Sequence, residues 1–198
     1  SQRRIRCFFC SMLSKVVQPK IIRVKSYLLK PVAHFSAGPS SSLPEKITIF
    51  GGNGYVGQRV SAAALRLGLD VISISRSGAP SSSTSGMRAL SALEKTTGQS
   101  ISWMQGDAFA PSDWREAVEG STGVVSCIGA FGSNEHMLRV NGDVNARVAE
   151  VSSEILSNDS NFVYISTVEN NLPDFILRGY FEGKQRAEEA VEHSFPSR

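Results

Sequence analysis

The sequence predicts an α/β fold in which a parallel sheet is covered by helices on both faces. Short apolar runs alternate with helix-forming segments from residue 45 onward. The first run, residues 47–50, has no polar interruption beyond Thr48, which is typical of a strand buried on both faces. A glycine turn at residues 51–57 then leads into a helical segment rich in Ala and Leu. Because crossovers between parallel strands are right-handed, the expected strand order is 3-2-1-4-5.

The rest of the chain keeps the same alternation. Gly68 is placed to end the first helix, and residues 77–86 form a loop rich in Ser, Gly and Pro. The remaining strands are expected at residues 70–75, 100–105, 123–128 and 161–166. Helices are expected at residues 60–67, 87–97, 112–118, 140–156 and about 178 to 193. This is the doubly wound Rossmann arrangement.

The glycine turn is the strongest functional signal in the chain. Gly51, Gly54 and Gly57 are spaced three apart, between a strand and a helix. Gly51 can supply a tight turn, Gly54 can let the backbone approach a pyrophosphate, and Gly57 can let the helix pack close to its strand. The helix N-terminus then offers N–H groups to the phosphates. The predicted phosphate-binding residues are Gly51, Asn53, Gly54, Tyr55, Val56 and Gly57; a purely structural turn is the alternative.

The end of the second strand indicates which dinucleotide is bound. An acidic side chain at this place holds the adenosine 2′-hydroxyl of NAD(H). Here the strand ends in Ser75-Arg76-Ser77 without a carboxylate. Because an arginine can pair with a 2′-phosphate, Arg76 favours NADP(H) over NAD(H). An exposed surface arginine is the alternative.

Two further strand ends should face the cofactor. Asp107, followed by Ala108, ends the third strand and is a candidate for the adenine amino group, although it could equally cap the next turn. The fourth strand ends in Cys127, Ile128 and Gly129, where a glycine break gives a cofactor close access to the backbone.

The last predicted helix carries the candidate catalytic pair. Tyr180 and Lys184 are four residues apart and therefore share a helix face. A phenol has an unperturbed pKa near ~10, and a neighbouring ammonium would lower this pKa toward the range useful for acid–base catalysis. Lys184 can also hold the nicotinamide ribose. Ser166 or Thr167, at the end of the fifth strand, could hydrogen-bond the substrate oxygen, and Ser166 is the predicted choice. A solvent-facing Tyr/Lys pair is the alternative.

The charge of the chain is divided unevenly. Residues 1–44 contain eight Lys and Arg residues and no acidic residue, so the remaining 13 basic and 18 acidic residues give the body a net charge of −5. A nucleic-acid partner is therefore not predicted. The tail resembles an import signal in composition. We expect a disordered presequence at residues 1–36, a linker at 37–44 and the dinucleotide domain at 45–198, with a disordered basic arm as the alternative for the tail.

The tail also bears on location and metal binding. Its short basic amphipathic segment favours a mitochondrion, in the matrix or at the inner membrane, over a plastid. Met12 is a natural start, so residues 1–11 are expected to lie outside the native protein. No apolar run is long enough to span a bilayer. Cys7 and Cys10 form a lone Cys-x-x-Cys, so no metal site is predicted, and Cys127 is expected to be a buried thiol. Three cysteines do not make a disulfide framework, which fits a reducing interior.

Several motifs together resemble the atypical and extended short-chain dehydrogenase/reductases. They are residues 51–57, 123–132, Val140-Asn-Gly with Asn145, residues 162–166 and residues 178–184. The resemblance covers about residues 46–195. It is strongest to family members that serve as the nucleotide-binding accessory subunit of mitochondrial complex I or as the reductase-like protein of coenzyme Q synthesis, and among these to plant and algal organellar members.

The resemblance implies two alternative functions. One is an NADP(H)-dependent oxidoreductase or isomerase associated with ubiquinone biosynthesis or the respiratory chain. The other is a non-catalytic nucleotide-binding subunit that stabilises a membrane-associated respiratory or quinone-synthesis complex. In the extended family a smaller substrate-binding lobe follows the Tyr-x-x-x-Lys helix. This chain stops at Arg198, so we expect that lobe to be missing.

Overall fold

The computed structural model of the protein describes residues 24–27, 45–167 and 174–196. They form a six-stranded sheet in the order β1-β6-β5-β2-β3-β4. The strands are β1 (Val24–Tyr27), β2 (Lys46–Phe50), β3 (Asp70–Ser75), β4 (Ile101–Gln105), β5 (Gly123–Ser126) and β6 (Asn161–Ile165). Strands β2 to β6 are parallel to one another. Counted among themselves they have the order 3-2-1-4-5, so the predicted topology is confirmed.

Strand β1 was not predicted. It pairs antiparallel with β6, with Val24 opposite Ile165 and Tyr27 opposite Phe162. These four residues fall within the segment that the sequence assigns to a presequence. The physical reason for the pairing is that β6 would otherwise present an unpaired row of N–H and C=O groups at the sheet edge. Residues 1–23, the expected linker at 37–44 and the Cys7–Cys10 pair lie outside the described residues.

The helices alternate with the strands as expected, with some different bounds. They are α1 (Tyr55–Arg66), α2 (Ser85–Thr97), α3 (Arg115–Val118), α4 (Asn134–Leu138), α5 (Val144–Ile155) and α6 (Asp174–Ser194). Helix α1 begins five residues earlier than predicted, directly on the glycine turn. A π-helical turn, Arg139–Asp143, joins α4 to α5. Helix α6 also begins earlier than predicted and has a kink at Leu177.

The sheet is buried on both faces, as the apolar strands predict. Successive strand residues enter different cores: Ile49 belongs to one cluster and Phe50 to the other. The first cluster joins the sheet to α3, α5 and α6 through Phe50, Trp114, Val148, Phe162, Val191 and Phe195. The second joins it to α1 and α2 through Ile47, Ile49, Val60, Leu65, Val71 and Leu90. Within the described ranges, no helix is long and apolar enough to cross a membrane.

Candidate functional site

A cavity of about 710 Å³ opens at the carboxyl ends of the parallel strands. This volume is in the range of pockets that hold one small molecule or cofactor. The predicted site residues on its wall are Gly51, Asn53, Gly54, Arg76, Asp107, Ala108, Cys127, Ile128 and Gly129. The other predicted residues, Tyr55, Val56, Gly57, Ser166, Tyr180 and Lys184, are not on this wall. The structure thus brings residues from four strand ends to one cavity.

The glycine turn has the shape that a phosphate ligand requires. Gly51 has a φ of 75°, and a Cβ there would lie 3.2 Å from the carbonyl of Cys127. A Cβ on Gly57 would lie 2.5 Å from the Cα of Gly52, so only glycine allows α1 to start this close to the turn. No side chain caps the N-terminus of α1, and its first turn holds no acidic residue. These uncapped N–H groups fit a pyrophosphate.

Two contacts of this turn were missed by sequence reasoning. A Cβ on Gly52 would lie 2.9 Å from the Cβ of Ser73, so Gly52 is needed where the turn crosses β3. The side chain of Asn53 donates from Nδ2 to Oγ of Ser77 (2.7 Å). Asn53, predicted as a cofactor residue, therefore also ties the glycine turn to the loop that carries Arg76.

Arg76 stands at the predicted strand end. Its exposed side chain lines the cavity and, among the described residues, makes no hydrogen bond or ion pair. The adjacent Ser75 is fixed, because its hydroxyl donates to the carbonyl of Gly78 (2.9 Å). The structure thus leaves a free guanidinium at the place where the adenosine ribose was expected.

Asp107 caps the next turn, which is one of the two roles that the sequence left open. Its Oδ1 accepts from the backbone N–H of Phe109 (3.0 Å), which caps the turn after β4. Its own N–H donates to Oδ2 of Asp113 (3.0 Å). The residue still lies on the cavity wall, next to the buried Ala108.

The glycine break after β5 is held by two buried asparagines that were not among the predicted site residues. Asn141 accepts from the N–H of Ala130 (3.1 Å) and donates to the Ala130 carbonyl (2.9 Å). Asn145 accepts from the hydroxyl of Ser126 (2.6 Å) and donates to the carbonyl of Ile128 (3.4 Å). The sequence signal for both asparagines was the Val140-Asn-Gly and Asn145 pattern, which contributed to the family resemblance but was not assigned a role in the site.

Burial also governs the thiol in this break. It raises the pKa of Cys127 to about 12, and the nearby Lys184 opposes this rise. The thiol is therefore protonated at neutral pH and acts as a small apolar part of the wall. Within the described part of the chain, no group of three or more His, Cys, Asp or Glu side chains is placed to hold a metal ion.

Tyr180 and Lys184 share a face of α6, as predicted. The Nζ atom of Lys184 lies 5.8 Å from the centroid of the Tyr180 ring and donates to the carbonyl of Ile165 (2.9 Å). Burial of the ammonium lowers the pKa of Lys184 to about 8. Burial also raises the pKa of Tyr180, which a hydrogen bond with Thr167 partly opposes. This differs from the expected lowering, because burial outweighs the hydrogen bond and the ammonium is turned toward a backbone carbonyl.

The structure brings Thr167, rather than Ser166, to the phenol. Ser166 is buried, and its hydroxyl donates to Oε1 of Glu188 (2.5 Å) on α6. Thr167 follows directly and makes the hydrogen bond to Tyr180. Of the two candidates that the sequence offered, Thr167 is thus the one beside the predicted proton donor. Ser166 instead holds β6 against α6.

The face of α6 that carries Tyr180 and Lys184 borders the cavity at the glycine break. A Cβ on Gly129, which lines the cavity, would lie 3.9 Å from Nζ of Lys184. Phe131, in the same loop, is 73% exposed and stacks on Tyr180 with the ring centroids 5.1 Å apart and the rings 4° from parallel. Phe131, His136 and Arg139 are further residues at this end that sequence reasoning did not select.

Comparisons with known proteins agree with this geometry. The NAD dependent epimerase/dehydratase family matches residues 47–171. An uncharacterised chloroplastic protein of Arabidopsis thaliana is 36% identical over 154 residues, which cover 77% of this chain and 47% of that protein. MIOREX complex component 2 of Saccharomyces cerevisiae is 35% identical over 92 residues, 46% of this chain and 31% of that protein. The chain therefore spans less than half the length of these two relatives.

Solved structures show the same fold at low identity. UDP-glucose 4-epimerase from Bifidobacterium longum, in complex with NAD⁺ and UDP, is similar with a TM-score of 0.56 and 16% identity, over 77% of this chain and 50% of that one. UDP-glucuronic acid 4-epimerase from Bacillus cereus, in complex with NAD, has a TM-score of 0.56 and 19% identity, over 75% and 52%. The family match covers more than half of the chain and includes the glycine turn and four of the five parallel strands in full. On this basis the chain belongs to the NAD dependent epimerase/dehydratase family, whose members bind a nicotinamide dinucleotide.

Proposed function

We propose that this protein is an NADP(H)-dependent oxidoreductase or isomerase in which Tyr180 is the proton donor. The observation that carries this proposal is the cluster of Thr167, Tyr180 and Lys184 beside the glycine break that borders the cavity. The dinucleotide would supply or accept the hydride. The substrate would then lie between Tyr180 and the cavity, since the phenol is only half-buried.

The three side chains have separate roles in this proposal. Because burial raises the pKa of Tyr180, the phenol is protonated at neutral pH and can donate its proton to a substrate oxygen. Thr167, already bonded to the phenol, is placed to hydrogen-bond the same oxygen. The ammonium of Lys184 has three N–H groups and gives one to Ile165, so two remain for the hydroxyls of a ribose.

The preference for NADP(H) rests on Arg76. The guanidinium at the end of β3 lines the cavity without a carboxylate partner in the described ranges. A 2′-phosphate would give it a charge-assisted hydrogen bond. The hydroxyl of Ser77 on the same turn is a second candidate contact, since it already accepts from Asn53.

The location and partners are finer proposals. The two relatives named above are described as chloroplastic and as a component of the MIOREX complex. These descriptions support an organellar location, and the acid-free tail supports the mitochondrion, with the plastid as the alternative. The proposed partner, from the family resemblance, is a membrane-associated respiratory or ubiquinone-synthesis complex.

A non-catalytic subunit is the second candidate function. It is favoured by Phe131, whose ring covers one face of Tyr180, and by the description of the yeast relative as part of a complex. In that case the dinucleotide would stabilise the fold, and Tyr180 would serve only in packing.

The test is to replace Tyr180 by Phe in the full-length protein. This change removes one hydroxyl and keeps the ring, so dinucleotide binding should persist. If Tyr180 donates the proton, turnover should fall by ~10²–10⁴-fold. The assays are turnover with a panel of carbonyl substrates, and rescue of a strain that lacks the endogenous gene.

Two further variants complete this test. Tyr164→Phe is the matched control, because it also removes one hydroxyl, which donates to the carbonyl of Asn141 (3.1 Å) away from the cavity wall. Its turnover should stay near that of the unmodified protein. Gly54→Val should abolish dinucleotide binding. Full rescue by Tyr180→Phe, together with no rescue by Gly54→Val, would refute the catalytic function and support the structural one.

A further inference from the structure

Arg139 is a cavity residue to which the proposed function gives no role. It begins the π-helical turn between α4 and α5, and its side chain is exposed and lines the cavity. The turn is fixed from below by the buried side chain of Asn141, which donates to the carbonyls of Met137 (2.9 Å) and Ala130 (2.9 Å). π-helical turns are often found at functional sites. The backbone thus presents Arg139 to the cavity from a rigid support.

The guanidinium reaches across to the opposite side of the site. Its Cζ atom lies 5.1 Å from the centroid of the Phe109 ring, which follows β4. Phe109 is itself held by Asp107 through its backbone N–H (3.0 Å). Arg139 therefore spans from the helix that follows β5 to the loop that follows β4. The glycine turn follows β2, which lies between β5 and β3 in the sheet. A ligand held by that turn would meet Arg139 on its other side.

Its charge is free to bind an anion. Four arginines of the described ranges form ion pairs with carboxylates: Arg115, Arg147, Arg178 and Arg186. Three others donate to carbonyls near them in the chain: Arg59, Arg66 and Arg88. Within these ranges, Arg76 and Arg139 are the two that do neither, and both line the cavity. The cavity carboxylate, Asp107, is engaged by the Phe109 N–H.

We propose that Arg139 binds the pyrophosphate of the dinucleotide, opposite the N-terminus of α1. This inference rests on the proposed dinucleotide binding and assigns the 2′-phosphate and the pyrophosphate of NADP(H) to two different arginines. Arg76 at the end of β3 takes the 2′-phosphate, and Arg139 takes the pyrophosphate that NADP(H) and NAD(H) share. Arg139 would thus raise affinity for both dinucleotides, whereas Arg76 would discriminate between them.

The experiment measures dissociation constants of NADP⁺, NAD⁺ and 2′-AMP, which has a 2′-phosphate but no phosphate at the 5′ position. It uses the full chain by calorimetry. Arg139→Gln should weaken the binding of NADP⁺ and NAD⁺ by the same factor, roughly tenfold to a hundredfold, and leave the binding of 2′-AMP nearly unchanged. Arg139→Lys should recover a part of the loss, because it restores the charge without the planar fork. Arg147→Gln is the matched control on the adjoining helix, since Arg147 pairs with Glu150 outside the cavity.

The outcomes separate this inference from the NADP(H) preference. Unchanged affinities in Arg139→Gln, or a loss of affinity confined to NADP⁺ and 2′-AMP, would overturn the inference. Equal affinity of the unmodified protein for NADP⁺ and NAD⁺ would overturn the cofactor preference alone. The role of Arg139 would still stand if its replacement weakened both dinucleotides equally.

Discussion

Replacing Gly57 by Ala should mainly destabilise the fold, whereas replacing Gly54 by Ala should mainly weaken dinucleotide binding, although the two glycines are only three residues apart. A Cβ on Gly57 would lie 2.5 Å from the Cα of Gly52. Real Cβ contacts are not shorter than 3.0 Å, so this distance would have to increase by at least 0.5 Å. The obstacle is backbone, which cannot rotate away. Overpacking of this kind costs about 1–3 kcal/mol, against about 0.5–1 kcal/mol that Ala gains over Gly in a helix. Gly57→Ala should therefore lower the melting temperature of the ligand-free protein by several degrees.

Gly54→Ala should instead leave the fold nearly as stable and weaken dinucleotide binding. The φ of Gly54 is −74°, which any residue adopts, and its added Cβ would meet a single atom, the Gly51 carbonyl oxygen, at 3.3 Å. The cost in unfolding free energy is that of a poorer N-cap, about 0.5–1 kcal/mol. The methyl group would, however, stand on the cavity wall at the N-terminus of α1. It should hinder the approach of a pyrophosphate.

Thermal unfolding with and without NADP⁺ checks both expectations. At a ligand concentration of 100 Kd, the unmodified protein should gain about 2.7 kcal/mol, or about 5–10 °C for a domain of this size. Gly54→Ala should lose most of this gain. Gly68→Ala is the control, because the φ of Gly68 is 80°, which makes Ala costly, while no atom lies within 4 Å of the added Cβ. This variant should be less stable but should still be stabilised by NADP⁺ to the same extent. An unchanged ligand gain in Gly54→Ala, or a Gly57→Ala protein as stable as the original, would refute this reasoning.

Three further results are expected. In a binding titration, Arg76→Ala should lower the affinity for NADP⁺ by roughly tenfold to a hundredfold and leave the affinity for NAD⁺ unchanged. An equal loss of affinity for both dinucleotides would place the 2′-phosphate elsewhere. Between pH 8 and 10.5 the unfolded chain binds more protons at Lys184 than the folded one, so the free energy of unfolding should rise across this window. Urea denaturation should show a rise of up to about 3 kcal/mol relative to Lys184→Met. Stability profiles of the two proteins that run parallel with pH would contradict the burial of the charge. A reporter carrying residues 12–40 should enter mitochondria, and a cytosolic or plastid signal would reject that location.

The fold was largely predictable because its signals are local. Strands β2, β5 and β6 are short apolar runs, β3 and β4 mix apolar and polar residues, and Gly51 and Gly57 mark a turn that few other residues could form. The early start of α1 was missed, since Tyr55 and Val56 were taken as parts of the turn. Strand β1 was missed for a different reason. Its pairing depends on the free edge of β6 and on nothing distinctive in residues 24–27.

The candidate site was less predictable, because its chemistry depends on contacts between distant segments. The sequence placed Tyr180 and Lys184 on one helix face, but the direction of the Tyr180 pKa depends on how much of the ring is buried. Ser166 is held away from the phenol by Glu188, which lies 22 residues beyond it in the chain and so could not be recognised as its partner from the sequence. Arg139 could not be selected, since a free guanidinium is recognised only when the partners of the other arginines are known.

Three glycines join α6 to the segment that carries Arg139. A Cβ on Gly179 would lie 2.6 Å from the carbonyl carbon of Asn134, and one on Gly183 would lie 3.0 Å from the backbone nitrogen of Gly142. The backbones thus touch directly, with no side chains between them to act as adjustable spacers. Helix α6, which carries Tyr180, and the segment that carries Arg139 on the cavity wall should therefore shift together. The distance between α6 and this segment is set by main-chain contact. Substitutions of these glycines would therefore change it, whereas substitutions in the cores on either side would hardly do so.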